Sequence, residues 1–113
     1  MVETQLYVLH ASICQTLANP KRLEIIDRLR KSEMSVMQLT EAMQISQANL
    51  SQHLAVMRQK GIVKTRREGL NVYYQLGNPK IVQACDLMRE VLLEHLETGA
   101  ELVRGKQEKE SIP

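Results

Sequence analysis

The sequence contains neither tryptophan nor phenylalanine, and three tyrosines are the whole aromatic content of its 113 residues. A hydrophobic core must therefore consist of leucine, isoleucine, valine and methionine, and the six methionines make such packing adaptable. Cysteine is also scarce. Cys14 and Cys85 are the two present, and they lie too far apart for a CxxC motif. We therefore expect reduced thiols and no disulfide framework.

Long hydrophobic runs are missing as well. No apolar segment approaches the roughly 20 residues that span a bilayer, and the N-terminal segment lacks the basic and long apolar regions of a signal peptide. We expect a cytoplasmic protein that does not contact membranes. The sequence has no glycine-rich phosphate loop, no cluster of metal ligands and no nucleophile paired with a base. These absences argue against an enzyme and against a bound cofactor.

The residues that are present predict a mainly α-helical fold with one β-hairpin. At 43% hydrophobic and 25% charged residues, the composition is that of an ordinary globular protein, and the length fits one small domain. We place that domain at residues 1–103 and expect a flexible tail at 104–113. Apolar spacing of three and four residues predicts helices, and alternation predicts strands. The predicted order is helices at 3–17, 20–31, 35–43 and 46–60, strands at 62–67 and 70–76, and a last helix at 79–103.

Start and stop signals support these boundaries. Asn19 and Asn78 each precede a proline, which combines a good N-cap with a good first helical residue. Ser35 is followed three residues later by Gln38, the spacing of a capping box. Gly61 suits the left-handed position after a helix. The strand turn is expected at Glu68-Gly69, and Leu23, Ile26 and Leu29 are expected to face inward from the second helix.

The third and fourth helices with the hairpin have the order of a winged helix-turn-helix, which places one helix in the DNA major groove. In that fourth helix, Leu50, Leu54 and Met57 are predicted to face the core. The opposite face carries short and amide side chains, which can bond base edges or meet a thymine methyl group. For His53 we also consider the alternative that it is half-buried and bonded to the backbone of the third helix. The candidates for base contact are Gln47, Ala48, Asn49, Ser51, Gln52 and His53.

The basic side chains concentrate on the same unit. Residues 34–76 hold five Lys or Arg and two Glu, a net charge of +3, whereas residues 79–113 hold five basic and seven acidic side chains, a net charge of −2. Positive charge on residues 34–76, the segment of the predicted winged helix-turn-helix, suits the neutralisation of DNA phosphates. The alternative is that these are ordinary solvated charges. The candidates for phosphate contact are Ser46, Arg58, Lys64, Arg66 and Arg67.

LANPKRLEIIDRLR and ISQANLSQHLAVMRQKGIVKTRREGLNVYYQL resemble the ArsR/SmtB family of repressors, over about residues 10–103. The resemblance implies a winged-helix homodimer that binds a palindromic operator in double-stranded DNA and leaves it when an effector binds. It also implies that the first and last helices, 3–17 and 79–103, form the dimer interface. Independently, both helices carry more apolar surface than one domain covers. The interface candidates are Leu6, Leu9, Ile13, Ile81, Cys85, Met88 and Leu92.

The chain departs from this family at its metal sites. Many members bind metals through a cysteine pair at the start of the third helix, but the aligned positions here are Ser35 and Met37, which cannot replace thiolates. A second family site uses acids and histidines of the last helix. Asp86 matches its first acid, while Met88 stands where a histidine is expected. We predict no metal site and leave the effector unknown.

Two further hypotheses stay open. Cys14 and Cys85 are either buried thiols that act as small hydrophobic side chains, or a thiol switch that changes the dimer when oxidised. For the whole chain, the alternative to a DNA-binding repressor is a winged-helix protein-interaction module. The polar face of the fourth helix and the basic hairpin argue against that alternative, since an adaptor needs neither.

Overall fold

The computed structural model describes the backbone of residues 2–107 and the side chains of residues 2–99. These residues form five helices and one small antiparallel sheet, so the mainly α fold is confirmed. The elements are α1 (Glu3–Leu17), α2 (Pro20–Leu29), β1 (Met34–Ser35), α3 (Val36–Met43), α4 (Gln47–Gln59), β2 (Val63–Glu68), β3 (Asn71–Leu76) and α5 (Lys80–Gln107).

The predicted helix caps are confirmed in atomic detail. The Asn19 side-chain oxygen accepts hydrogen bonds from the backbone N–H groups of Lys21 and Arg22, at 2.9 and 3.3 Å. The Ser35 hydroxyl accepts from the backbone N–H of Gln38 at 3.1 Å, and the Gln38 side-chain oxygen accepts from the backbone N–H of Ser35 at 2.8 Å. These bonds satisfy N–H groups that the first helical turn leaves without partners, and they fix where α2 and α3 begin.

The core is aliphatic and lies between α2, α3, α4 and the base of the hairpin. The prediction for Leu23 is wrong, because this side chain is 41% exposed while Ile25 is fully buried. Residues 25, 26 and 29 place one side of α2 inward, and residue 23 falls outside that side. The fully buried aliphatic side chains are Ile25, Ile26, Leu39, Leu50, Leu54, Met57, Ile62 and Val63.

The connection from α3 to α4 contains a single left-handed residue. Gln44 has φ 56° and ψ 44°, and it is the one non-glycine residue in the described chain with positive φ. This conformation costs an L-residue free energy, since Cβ approaches the following carbonyl oxygen. The chain turns sharply here. Ser46 then caps α4 by accepting a hydrogen bond from the backbone N–H of Asn49 at 3.1 Å.

The sheet has three strands in the order β1-β3-β2, so the prediction of a two-stranded hairpin is incomplete. The additional strand is two residues long, with Met34 opposite Tyr74 and Ser35 opposite Tyr73. Its extended conformation follows from the cap, since an N-cap residue adopts β-region angles before the helix begins. A strand of this length has no alternation that a sequence pattern can detect. It joins the start of α3 to the hairpin.

The hairpin turn lies one residue later than predicted. Glu68 pairs with Asn71, so Gly69 and Leu70 form a two-residue turn. Gly69 has φ +62°, which suits the first central position of such a turn. At the other end of the hairpin, the backbone N–H of Gly77 donates to the carbonyl oxygen of Ile62 at 2.8 Å. A Cβ at Gly77 would lie 2.1 Å from the carbonyl oxygen of Gly61, so this close approach requires glycine.

The residues up to Val82 form one compact unit, and α5 from Gln83 onward forms a second. Within the described residues the helix reaches Gln107, four residues beyond the predicted end, so residues 104–107 of the predicted tail are helical. Residues 108–113 lie outside the described residues. The assignment of one domain to residues 1–103 stays a prediction. Exposed apolar side chains of α5 are Leu87, Met88, Val91, Leu92, Leu93 and Leu96.

Candidate nucleic-acid interface

Helix α4, which we call the recognition helix, has two different faces. Leu50, Leu54 and Met57 are completely buried, so the helix is held on the core along its length. The side chains on the other face are exposed. They come from the N-terminal half of the helix, and most carry an amide or hydroxyl group. These exposed residues are Gln47, Ala48, Asn49, Ser51 and Gln52, the same side chains that the sequence marks as candidates for base contact.

His53 is half-buried and does not bond α3, contrary to the alternative considered for it. Its Nδ1 instead accepts a hydrogen bond from Nε of Arg22 in α2, at 3.1 Å. Nη1 of Arg22 also donates to the carbonyl oxygen of Thr16 at 3.2 Å. Arg22 therefore links the last turn of α1 to the recognition helix. Sequence patterns did not single it out, because a basic residue in the first turn of a helix is usually solvated.

The surroundings of His53 favour its neutral form. Partial burial lowers the pKa of this imidazole below its ordinary value of 6.5, and the positive charges of Arg22 and Lys21 lower it further. At neutral pH the side chain is therefore mainly uncharged, so its ring nitrogens can take part in hydrogen bonds but add no charge.

Arg66 has contacts within the protein that argue against its predicted role at a DNA phosphate. Its guanidinium donates to both carboxylate oxygens of Glu33, at 3.0 and 2.5 Å, and to Glu68 at 3.0 Å. It also lies over the ring of Tyr73, 4.9 Å from the centroid. The hydrogen bond from Arg66 lowers the pKa of Glu33, and Glu33 and then Glu68 raise the pKa of Arg66. Two carboxylates neutralise this cation, and it ties the hairpin to the segment before β1.

Other basic residues of the recognition helix and hairpin remain available. Arg58 in the last turn of α4, and Lys64 and Arg67 in β2, are exposed. Among the side chains that the structure describes, none of these three forms an ion pair. Lys64 and Arg67 lie on opposite faces of β2, because side chains alternate along a strand. Ser46 is exposed at the start of α4, and its hydroxyl hydrogen remains free to donate.

The predicted interface residues of α1 are exposed in the single chain. Leu6 and Leu9 are more than half exposed and Ile13 is half-buried. In α5, Ile81 is half-buried, and Met88 and Leu92 are exposed.

The two cysteines do not form a disulfide. Cys14 is exposed rather than buried, and Cys85 is half-buried. The thiol switch, one of the two alternatives for these residues, stays a hypothesis.

The two positions at the start of α3 that the sequence comparison with metal-binding family members singled out have other roles here. Ser35 takes part in the capping box, and the Met37 side chain is 79% exposed. Within the described residues, no three His, Cys, Asp or Glu side chains come close enough together to hold a metal ion. None of the described helices combines the length and apolar character that a membrane crossing requires.

Residues 19–65, from the start of α2 to the first half of β2, match the family model described as bacterial regulatory protein, arsR family. The transcriptional repressor PagR of Bacillus anthracis is 35% identical over 82 residues, which cover 72% of this chain and 82% of that protein. The chain belongs to the arsR family. The transcriptional activator HlyU of Vibrio cholerae is 35% identical over 79 residues, covering 70% of this chain and 73% of its own length.

A solved structure shows the same fold. The solution structure of a homodimeric winged helix-turn-helix DNA-binding domain, Mb0332 from Mycobacterium bovis, superposes with a TM-score of 0.78. It is 30% identical and covers 85% of this chain and 89% of that one. This arsR-family chain is thus a DNA-binding transcriptional regulator with a winged helix-turn-helix, and it is not an enzyme. In winged-helix terms β2 and β3 are the wing, and β1 is the third strand that supports it.

Proposed function

We propose that the chain represses transcription as a homodimer that binds a palindromic operator, with the recognition helix in the major groove. The observation that carries this proposal is the contrast between the two faces of α4. On one face, three fully buried side chains hold the helix on the core. On the other, five short or amide side chains are exposed and take no part in core packing. Gln and Asn can make paired hydrogen bonds to adenine, and Ser bonds several base edges.

The wing supplies contacts to the DNA backbone in this proposal. Arg58, Lys64 and Arg67 are exposed cations without an ion pair among the described side chains. We assign phosphate contact to these three and to the hydroxyl of Ser46, and we withdraw Arg66 because Glu33 and Glu68 already neutralise it. Such contacts position the protein on the duplex without reading its sequence.

The dimer follows from the apolar side chains that the single chain exposes on α1 and α5, including Leu6, Leu9, Met88 and Leu92. Exposed apolar surface of this extent is typical of a protein interface. Mb0332 is described as homodimeric, which supports the same assembly here. A two-fold dimer places two recognition helices about 34 Å apart, which matches the half-sites of a palindrome. A dimer bound over a promoter blocks access to it, and the repressor PagR supports this direction of regulation.

The test begins with selection of binding sites from random double-stranded DNA, followed by affinity measurements on the selected site. We expect a palindrome, and a Gln52→Ala variant that binds it about 10- to 100-fold more weakly per lost contact. Gln59→Ala is the matched control, because it removes the same exposed side chain from the end of the same helix. A selected site without two-fold symmetry, or equal losses in both variants, would refute the proposed binding mode.

The direction of regulation needs a separate measurement, since HlyU is named an activator. A reporter gene behind a promoter that contains the selected site should be expressed less when the protein is present. Expression that rises with the protein would leave the DNA-binding proposal intact and replace repression by activation.

A further inference from the structure

We propose that Arg22 is a positioning residue for DNA binding, which holds the proton of His53 on Nε2 so that the recognition helix presents a neutral imidazole N–H to a hydrogen-bond acceptor on DNA. This inference rests on the proposed function, because it assigns a role to one side chain of the proposed DNA-binding helix. Arg22 itself acts through His53.

The position of the proton follows from the chemistry of the pair. A guanidinium group has five N–H donors and no acceptor, so His53 Nδ1 must accept the hydrogen bond from Arg22 Nε at 3.1 Å. A neutral imidazole carries one proton on its two nitrogens. Since Nδ1 is the acceptor, the proton lies on Nε2.

Arg22 is held in place by a second bond. Its Nη1 donates to the carbonyl oxygen of Thr16 at 3.2 Å. Thr16 is only 5% exposed, and its own hydroxyl donates to the carbonyl oxygen of Ser12 at 2.9 Å. The guanidinium therefore bridges a fixed point in the last turn of α1 and the ring of His53, and this bridge orients the imidazole.

The other nitrogen of the ring is at the surface. Among the described residues, no group forms a hydrogen bond with Nε2 of His53, and no buried side-chain nitrogen or oxygen lacks a partner. Nε2 is consequently accessible to solvent. His53 lies four residues after Asn49, one helical turn along the same side of α4, and directly follows Gln52. Its free N–H thus belongs to the exposed polar face rather than to the core.

A second proton on Nδ1 would break this arrangement. It would remove the acceptor and place an N–H group against the donating guanidinium of Arg22. The charged groups that act on the ring are Arg22 and Lys21, both from α2 and both positive, so they oppose protonation together with partial burial. The neutral form with the proton on Nε2 is the state that this environment selects.

Two substitutions of His53 separate its roles. In His53→Asn, the amide oxygen takes the place of Nδ1 as the acceptor for Arg22, and the N–H at the position of Nε2 is lost. In His53→Gln, the amide N–H approaches the position of Nε2, and the acceptor for Arg22 is lost. We expect the Asn variant to keep wild-type thermal stability and to bind the selected DNA site on the order of 10-fold more weakly as a dimer, as for one neutral hydrogen bond per protomer.

Arg22→Gln tests whether Arg22 acts through His53. In ¹⁵N-edited spectra of the imidazole at neutral pH, we expect only Nε2 protonated in the wild-type protein and a mixture of both neutral tautomers in this variant. DNA affinity should fall in Arg22→Gln, but combining it with His53→Asn should cost little more than His53→Asn alone. Additive losses, or a wild-type ring protonated on Nδ1, would overturn the inference.

The same binding experiments distinguish this inference from the proposed function. If Gln52→Ala weakens binding while His53→Asn binds like the wild type, the role of His53 and Arg22 is refuted and the DNA-binding mode stands. If no DNA site is selected at all, the proposed function fails first. A panel of half-site variants identifies the acceptor. A loss in His53→Asn that is uniform across the panel indicates a phosphate oxygen, and a loss confined to one base pair indicates a base edge.

Discussion

Adjacent arginines of β2 should differ in their effect on the salt dependence of DNA binding. Arg67→Gln removes an exposed cation that has no ion pair among the described side chains, whereas Arg66→Gln removes one already bonded to Glu33 and Glu68. Of the two arginines, only Arg67 should release counterions from DNA when the protein binds. The two variants change the same residue type to the same uncharged residue at neighbouring positions of one strand, so each is the matched control for the other.

The magnitude follows from the number of cations that are assigned to phosphate contact. Arg58, Lys64 and Arg67 give about three phosphate contacts per protomer, or about six for the dimer. Each contact contributes about −0.9 to the slope of log K against log salt concentration, so the wild-type slope should be about −5. Arg67→Gln removes two contacts per dimer and should reduce the slope to between about −3 and −4. Arg66→Gln should leave it unchanged.

The assay is fluorescence anisotropy with labelled operator DNA over a series of KCl concentrations. Circular dichroism melting of each variant, run alongside, shows whether the wing stays folded, since Arg66 also contacts Tyr73. A native Arg66→Gln variant whose slope falls as far as that of Arg67→Gln would refute the reasoning, because it would show that Arg66 leaves its carboxylates to bind phosphate.

Three further changes probe the fold that supports the site. Gly77→Ala places Cβ 2.1 Å from a backbone carbonyl oxygen and should lower the free energy of unfolding by about 3 kcal/mol in urea denaturation, while Gly99→Ala, which meets no atom within 4 Å, should not. Leu54→Ala empties a fully buried position and should cost about 3 kcal/mol, whereas Leu70→Ala, at a side chain 99% exposed, should change stability by less than about 0.5 kcal/mol. Because the folded state lowers the pKa of His53, the unfolded chain binds the proton more readily, so this contribution to stability is complete above pH 6.5 and is lost as the pH falls below it. Thermal melts between pH 5 and 8 should show a weaker pH dependence in His53→Asn, and an unchanged dependence would contradict the assigned environment.

Local patterns in the sequence were sufficient to predict α3 and α4, the two helices of the helix-turn-helix. The helix caps join residues that are three positions apart, so they can be recognised in a short stretch of sequence. They are the capping box of Ser35 and Gln38 and the cap at Ser46. The buried face of α4 follows from the helical spacing of Leu50, Leu54 and Met57, so the exposed face follows as well. Periodicity and cap chemistry determine these features within one element, and the structure confirms them.

Features that depend on distant pairs were missed. β1 consists of two residues that pair with Tyr73 and Tyr74, about 40 residues later in the chain. Gly77 is required because another backbone segment passes close to it. Arg22 bonds a histidine 31 residues away. None of these contacts leaves a periodic trace, since each is decided by how separate elements pack rather than by propensities within them.

The charges of the wing illustrate why the same limit affects predictions of function. A count over residues 34–76 gives a net charge of +3 and treats all five basic side chains as equal. In the folded chain, Arg66 is neutralised partly by Glu68, inside that segment, and partly by Glu33, one residue before it. The net charge of the segment therefore says little about which cations meet DNA.

Arg22, outside residues 34–76, is likewise bonded within the protein, because its guanidinium donates to His53 and to the backbone carbonyl of Thr16. In both places an arginine holds a part of the proposed DNA-binding surface, the wing in one case and the recognition helix in the other. Counting charge identifies the electrostatic footprint of a DNA-binding domain. Assigning individual contacts requires knowing which cations the fold has already paired. The ion pairs of Arg66 argue against its expected phosphate contact, and Arg67, its neighbour, has no ion pair among the described side chains.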